Sequence, residues 1–152
     1  MFRQKGCVIA VILCMVLASM MFLVKSHAQA ETSLKAEPAT AELNPQALAA
    51  VKIKGSGFKP EDRIMIVLAG ADKGKDIPVG AAEADAAGSF ETTMNMLSIL
   101  QGIFHFKFQD GKPAPDPSNP PLSPGTYKIK AASWDSKLEA LCNIDIKAPE
   151  KK

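Results

Sequence analysis

The sequence predicts an all-β protein, an antiparallel sandwich of about seven short strands. In residues 51–68, two apolar–polar alternations flank a break that contains Gly55, Gly57 and Pro60. Alternation with a period of two is the pattern of half-buried strands. A second alternation, in residues 138–146, puts five apolar side chains on one face, which is typical of a core strand. Several short strands separated by turn residues favour a sandwich.

The first thirty residues have the pattern of a secretory signal peptide. Arg3 and Lys5 precede an apolar run over residues 7–24, and the segment ends in Ala28-Gln-Ala30. We expect cleavage after Ala30 and a periplasmic or secreted mature protein. A retained anchor is the alternative, because the run is close to the length that spans a bilayer. The protein would then touch the membrane only through this segment.

Cleavage would change the chemistry available to the mature chain. Cleavage removes three of the 18 basic residues and none of the 16 acidic ones, which leaves the net charge of the mature chain close to zero. A basic surface for nucleic acid is therefore not predicted. Cys142 and His105 become the sole cysteine and histidine, so no internal disulfide is expected.

The first half of the mature domain, predicted to span residues 31–148, consists of strands separated by turns. Pro38 and Pro45 do not suit a helix interior, so residues 38–47 are expected to be a loose connection. Gly88 is expected to take the left-handed conformation in a tight turn. The predicted strands cover residues 33–37, 48–54, 63–69, 77–84 and 89–95.

Residues 96–123 depart from this pattern and are predicted to be an insertion. Apolar residues with helical spacing predict one or two turns, capped by Asn95 and ended by Gly102. Phenylalanines at every second position of 104–108 predict a strand. Six of the eleven prolines fall in 113–124, which predicts an extended, polyproline-II-like loop.

The chain ends in the clearest hairpin of the sequence. Residues 126–131 and 138–146 both alternate, and Asp135-Ser136 forms the turn between them. The charged tail, residues 149–152, is expected to fray.

The turn residues of this chain resemble those of bacterial immunoglobulin-like domains in secreted proteins. The resemblance rests on Gly55-Ser-Gly-Phe-x-Pro60, Ala84-Asp-x-x-Gly-x-Phe90 and Pro124-Gly-x-Tyr127, and it covers most of residues 32–148. It implies an immunoglobulin-like sandwich in which Tyr127 forms a tyrosine corner. The paired cysteines and strand-C tryptophan of antibody domains are missing. The family implies no catalytic residues for this chain.

The residues themselves also predict a protein that is not an enzyme. A catalytic nucleophile needs a base and a group that orients the base. His105 is instead predicted to be a surface strand residue between two phenylalanines. Gly55-Ser-Gly57 does not match the nucleophile elbow. Cys142 lies in the apolar register of the last strand, which indicates burial. No metal site or cofactor is predicted, because clustered ligands are missing from the sequence.

The sequence therefore favours a secreted or periplasmic, non-enzymatic module that binds another envelope or extracellular protein or assembles with it. The long proline-rich segment of the insertion is the predicted contact, since such loops often have functions. The alternative for that loop is that it covers an open sheet edge. The alternative function is a carbohydrate-binding accessory domain that uses Trp134 and Tyr127. The predicted contact residues are Lys112, Asp116, Pro120, Pro121, Leu122 and Trp134.

Overall fold

A computed structural model describes residues 31–150, and in this part of the chain about half of the residues lie in strands. The prediction of a mostly-β protein is confirmed, with 52% strand and 11% helix. The predicted signal peptide and its cleavage site lie outside the described residues. The strands are Ser33–Glu37 (β1), Thr40–Glu42 (β2), Lys52–Ser56 (β3), Arg63–Asp72 (β4), Lys75–Glu83 (β5), Phe90–Thr93 (β6), Phe106–Gln109 (β7), Lys112–Pro115 (β8), Gly125–Ser133 (β9) and Glu139–Lys147 (β10).

The strands form three sheets. The first has the order β1-β3-β6, and the second, a curled half-barrel, has the order β2-β10-β9-β4-β5. All pairings are antiparallel except that of β2 with β10, which is parallel. The third sheet is the isolated hairpin β7–β8.

One hydrophobic core lies under the first two sheets, and both contribute to it. Ile53 of β3 and Phe90 of β6 belong to the same buried cluster as Ile66 of β4 and Ile144 of β10. In β1, β3 and β10 the buried residues fall on alternate positions, as the period-2 patterns predicted, whereas in β4 the residues from Ile66 to Leu68 are all buried.

The predicted turn at residues 85–88 is confirmed. Gly88 has φ of 74°, and Asp85 accepts hydrogen bonds from the backbone amides of Ala87 and Ser89. A Cβ at Gly88 would collide with the carbonyl oxygen of Phe58, so glycine is required by space as well as by conformation.

A short helix replaces part of the predicted loose connection. Pro45–Ala49 (α1) begins after Asn44, whose side chain accepts a hydrogen bond from the amide of Gln46. Pro45 occupies the first helical turn, where its missing N–H is not needed. Leu48, predicted to begin a strand, is instead the fully buried residue of this helix. Excluding helix on account of Pro45 was therefore wrong.

The insertion begins with a helical segment, as predicted, but the segment ends differently. The α-helical turn Met96–Ser98 (α2) continues as a π-helical turn, Ile99–Ile103. Asn95 caps it by accepting from two backbone amides. Gly102 is not the terminator, because it lies inside the π-helical turn, where a Cβ would collide with the Ile77 side chain. Its role is close approach to β5.

The proline-rich segment is only partly a loop. Residues 112–115 form β8, which pairs with β7 across a turn at Asp110 and Gly111. The extended conformation was predicted correctly, and the missed feature was its pairing partner. Among residues 31–150 no helix has the length and apolar character needed to cross a lipid bilayer.

Candidate functional site

The structure divides the insertion into a packed part and a projecting part. Ile99, Ile103 and Leu122 are buried in the core cluster, and the amide of Leu122 donates to the carbonyl of Ile103. Between these anchors, residues 106–115 form the β7–β8 hairpin, named the projecting hairpin below. The main contact of this hairpin with the rest of the domain is between β7 and the π-helical turn.

A hydrogen bond from His105 holds the packed part of the insertion together. Its backbone has φ of 52°, and its Nδ1 lies 2.7 Å from the carbonyl oxygen of Pro120. A carbonyl can only accept, so Nδ1 carries the proton. The imidazole is only 11% exposed. The reading of His105 as a surface strand residue was therefore wrong, because the chain turns at this residue before β7 begins.

His105 lines a shallow cleft of about 260 Å³, together with Asp72, Pro120 and Tyr127. Nε2 lies 4.0 Å from Oδ2 of Asp72 and, within residues 31–150, is buried without a hydrogen-bond partner. The Tyr127 hydroxyl at the cleft donates to the carbonyl of Ser123, so it is not paired with the imidazole. Burial raises the pKa of Tyr127. The cleft combines an imidazole and a carboxylate, but no hydroxyl or thiol of the described residues is hydrogen-bonded to Nε2.

Asp116, one of the predicted contact residues, is engaged within the insertion itself. Its carboxylate accepts from Nζ of Lys107 at 2.8 Å and from the hydroxyl and amide of Ser118. The ammonium of Lys107, together with these bonds, lowers the pKa of Asp116 to about 2. This network fixes the turn that follows β8. Lys112, by contrast, is exposed on the hairpin.

The predicted apolar triplet is split between surface and interior. Pro120 and Pro121 are exposed at the cleft, but Leu122 is only 8% exposed and belongs to the core cluster. The expectation that Leu122 presents apolar surface was wrong. The prolines keep the chain extended, and Leu122 points into the space under the insertion.

Trp134 lies at the other end of the five-stranded sheet. It is 60% exposed, and about seven residues of extended chain, about 23 Å, separate it from Tyr127 at the cleft. The predicted contact residues therefore do not form one patch. Beside Trp134, Arg63 donates from Nη2 and Nε to the carboxylate of Asp135 at 2.8 and 3.2 Å. This guanidinium lowers the pKa of Asp135 to about 2.

The apolar face of the projecting hairpin was not predicted from the sequence. Phe106 lies opposite Pro115, and Phe108 lies opposite Pro113. Partners in an antiparallel pair share a face, so these four side chains form one apolar surface. Phe108 is 44% exposed and both prolines are exposed. Phenylalanines and prolines at every second position, separated by Asp110-Gly111, were the signal that could have revealed it.

Within residues 31–150, no three histidine, cysteine or acidic side chains lie close enough together to hold a metal ion.

Comparison with solved structures finds a likeness in structure, whereas the sequence comparisons find none. No protein-family model and no curated protein matches the sequence. The structure is similar to the crystal structure of a tetra-tandem repeat in the extending region of a large adhesion protein. The likeness has a TM-score of 0.42 at 13% sequence identity and covers 76% of this chain. It covers 23% of the other chain, so this protein spans less than a quarter of that chain's length.

Proposed function

We propose that this protein is a secreted or periplasmic, non-enzymatic module that binds another protein through the projecting hairpin. The observation that carries the proposal is the apolar face made by Phe106, Phe108, Pro113 and Pro115 on an element that adds little to the core. Aromatic side chains are enriched where proteins contact each other. The two prolines restrict the free hairpin, so less conformational entropy is lost on binding.

We also propose that the two main sheets are an immunoglobulin-like sandwich, with the insertion between β6 and β9. Two observations support this assignment. The first is the strand order, in which β1 joins one sheet while β2 runs parallel to the last strand of the other. The second is Tyr127 at the start of β9, whose hydroxyl donates to the carbonyl of Ser123 four residues earlier, as in a tyrosine corner.

The binding proposal is tested by replacing one exposed residue of the hairpin face. Phe108→Ser removes the exposed ring, and Leu141→Ser is the matched control, since Leu141 is 58% exposed on the five-stranded sheet. Each tagged protein is incubated with an envelope fraction, and captured proteins are quantified by mass spectrometry. We expect wild type and Leu141→Ser to capture a partner protein that Phe108→Ser does not capture. Equal capture by all three would overturn the proposal.

A carbohydrate-binding accessory domain is the second candidate function, and the surroundings of Trp134 favour it. A largely exposed indole beside a small cleft at Arg63 resembles the aromatic platforms on which sugar rings stack. The ion pair between Arg63 and Asp135 would hold polar groups at the edge of that platform.

A glycan array distinguishes the two candidates. Sugar binding by wild type that Trp134→Ala abolishes, and that Phe108→Ser leaves unchanged, would favour the second. An array without signal, together with the Phe108-dependent capture, would favour the first.

A further inference from the structure

The two outer edges of the projecting hairpin differ in their capacity to bind another strand. Asp110 and Gly111 have φ of 49° and 75°, which defines a two-residue turn of the type that closes tight hairpins. In such a hairpin the residues next to the turn, Gln109 and Lys112, form a hydrogen-bonded pair. Bonded and non-bonded pairs then alternate along the ladder.

This alternation determines which backbone groups point away from the hairpin. Lys107 and Ala114 form the next bonded pair, so the N–H and C=O groups of Phe106 and Phe108 point outward from β7. Within residues 31–150, no further backbone or side-chain group is hydrogen-bonded to them. The outer edge of β7 therefore offers two donors and two acceptors in the spacing of a ladder.

The edge of β8 is closed to the same kind of pairing. Its outward positions are Pro113 and Pro115, which have no N–H to donate. Prolines on an edge strand are a known means of preventing unwanted strand addition. Here they block one edge of a two-stranded sheet and leave the other open.

We propose that the open edge of β7 binds an extended segment of the partner protein as a third strand. This inference rests on the proposed function and specifies how the partner is recognised. Main-chain bonds to Phe106 and Phe108 would supply affinity, and alternate side chains would supply specificity.

Charge on the hairpin indicates the composition of the segment. The face opposite the phenylalanines carries Lys107 and Lys112, and in the described part of the chain Lys112 has no ion-pair partner. An added strand places alternate side chains on the two faces. The ammonium of Lys107 is already paired with Asp116, so Lys112 supplies the free positive charge on this face. The occupant is therefore a segment in which apolar residues, beside Phe106 and Phe108, alternate with acidic residues on the face of Lys112.

The backbone pattern is tested first by amide hydrogen exchange of the free protein. The amides of Lys107 and Gln109 are expected to exchange more slowly than those of Phe106 and Phe108, because only the former point into the hairpin. Slow exchange at Phe108 in the free protein would mean that the edge is already occupied, and would overturn the inference.

Binding is tested by NMR titration with a short capped peptide of alternating valine and glutamate residues. The peptide is expected to slow exchange at Phe106 and Phe108, and its version N-methylated at each valine is expected to bind at least about tenfold more weakly. On the protein, Phe108→Pro removes the outward N–H, whereas Phe108→Leu keeps it. We expect Phe108→Leu to bind the peptide with an affinity close to that of wild type. The affinity of Phe108→Pro should be about tenfold lower.

Equal binding by the two Phe108 variants, or by the two peptides, would overturn strand addition. If Phe108→Pro also keeps the envelope partner that Phe108→Ser loses, protein binding stands and the ladder fails. If sedimentation shows that the hairpin edge is covered by a second copy of this chain, the proposed occupant is wrong.

Discussion

At the scale of single residues, charged side chains hold turns in place. Asp135 links the last hairpin to β4 by accepting three hydrogen bonds from Arg63, one of them from its backbone. Asp116 holds the turn after β8 by accepting hydrogen bonds from Lys107 and Ser118. Both carboxylates have a pKa of about 2 in the folded protein, below the ordinary value of 3.8.

These pKa values predict acid sensitivity. A carboxyl whose pKa is lowered by folding stabilises the protein fully above its unfolded pKa, and the stabilisation is lost as the pH falls through the folded pKa. We expect the urea midpoint to fall between about pH 4 and pH 2. Asp135→Asn should lower the midpoint at neutral pH and reduce its fall in acid. Asp110→Asn is the control, because in the described part of the chain the carboxyl of Asp110 accepts no hydrogen bond.

Cys142 gives a second prediction at this scale. The sequence placed it in the register of the core strand, and the structure shows it half-buried against the core cluster. Burial raises the pKa of the thiol, so little thiolate is present at neutral pH. Labelling by a thiol reagent should be slow in the native protein and fast in denaturant. Similar rates in both conditions would contradict this placement.

At the scale of elements, glycines show where the backbone leaves no room for a side chain. Gly88 and Gly74 both have positive φ, of 74° and 83°, but only Gly88 faces a close backbone neighbour. Gly74→Ala should cost about 1 kcal/mol, the strain of the left-handed conformation alone. Gly88→Ala should cost more, about 3 kcal/mol or above, since the Phe58 carbonyl must also move. Thermal unfolding of both variants measures the difference, and equal losses would contradict the role of space.

The insertion shows which elements could be predicted from sequence. The helical spacing from Met96 to Ile103 and the cap at Asn95 depend on local patterns, and both were predicted. The π-helical turn, the kink at His105 and the burial of Leu122 depend on packing against β5 and on the Pro120 carbonyl. Those contacts join residues distant in sequence, and no local pattern reports them.

At the scale of the whole molecule, the apolar–polar alternations of the sequence predicted the strands of the two main sheets. The residues of the candidate site were predicted less accurately. Strands β1, β4, β9 and β10 lie close to their predicted positions because each has one face in the core. The site was harder, because exposed residues obey no packing pattern. Lys112, Pro120 and Pro121 are exposed as expected, but Trp134 lies at the far end of the sheet, and the phenylalanine face was missed.

The projecting hairpin is expected to be an addition that the two main sheets do not need in order to fold. Phe106 and Pro115 are opposite each other, so their Cα atoms lie about 5 Å apart and a short Gly-Ser linker can replace residues 106–115. Leu122→Ala is the contrasting variant, since it removes a buried side chain and should cost about 2–5 kcal/mol.

Equilibrium urea unfolding of the linker variant, beside wild type and Leu122→Ala, measures how much the hairpin contributes to stability. We expect the linker variant to show one cooperative transition with a midpoint close to that of wild type, well above the midpoint of Leu122→Ala. A midpoint lowered as far as that of Leu122→Ala, or a chain that does not fold, would show that the hairpin is part of the fold.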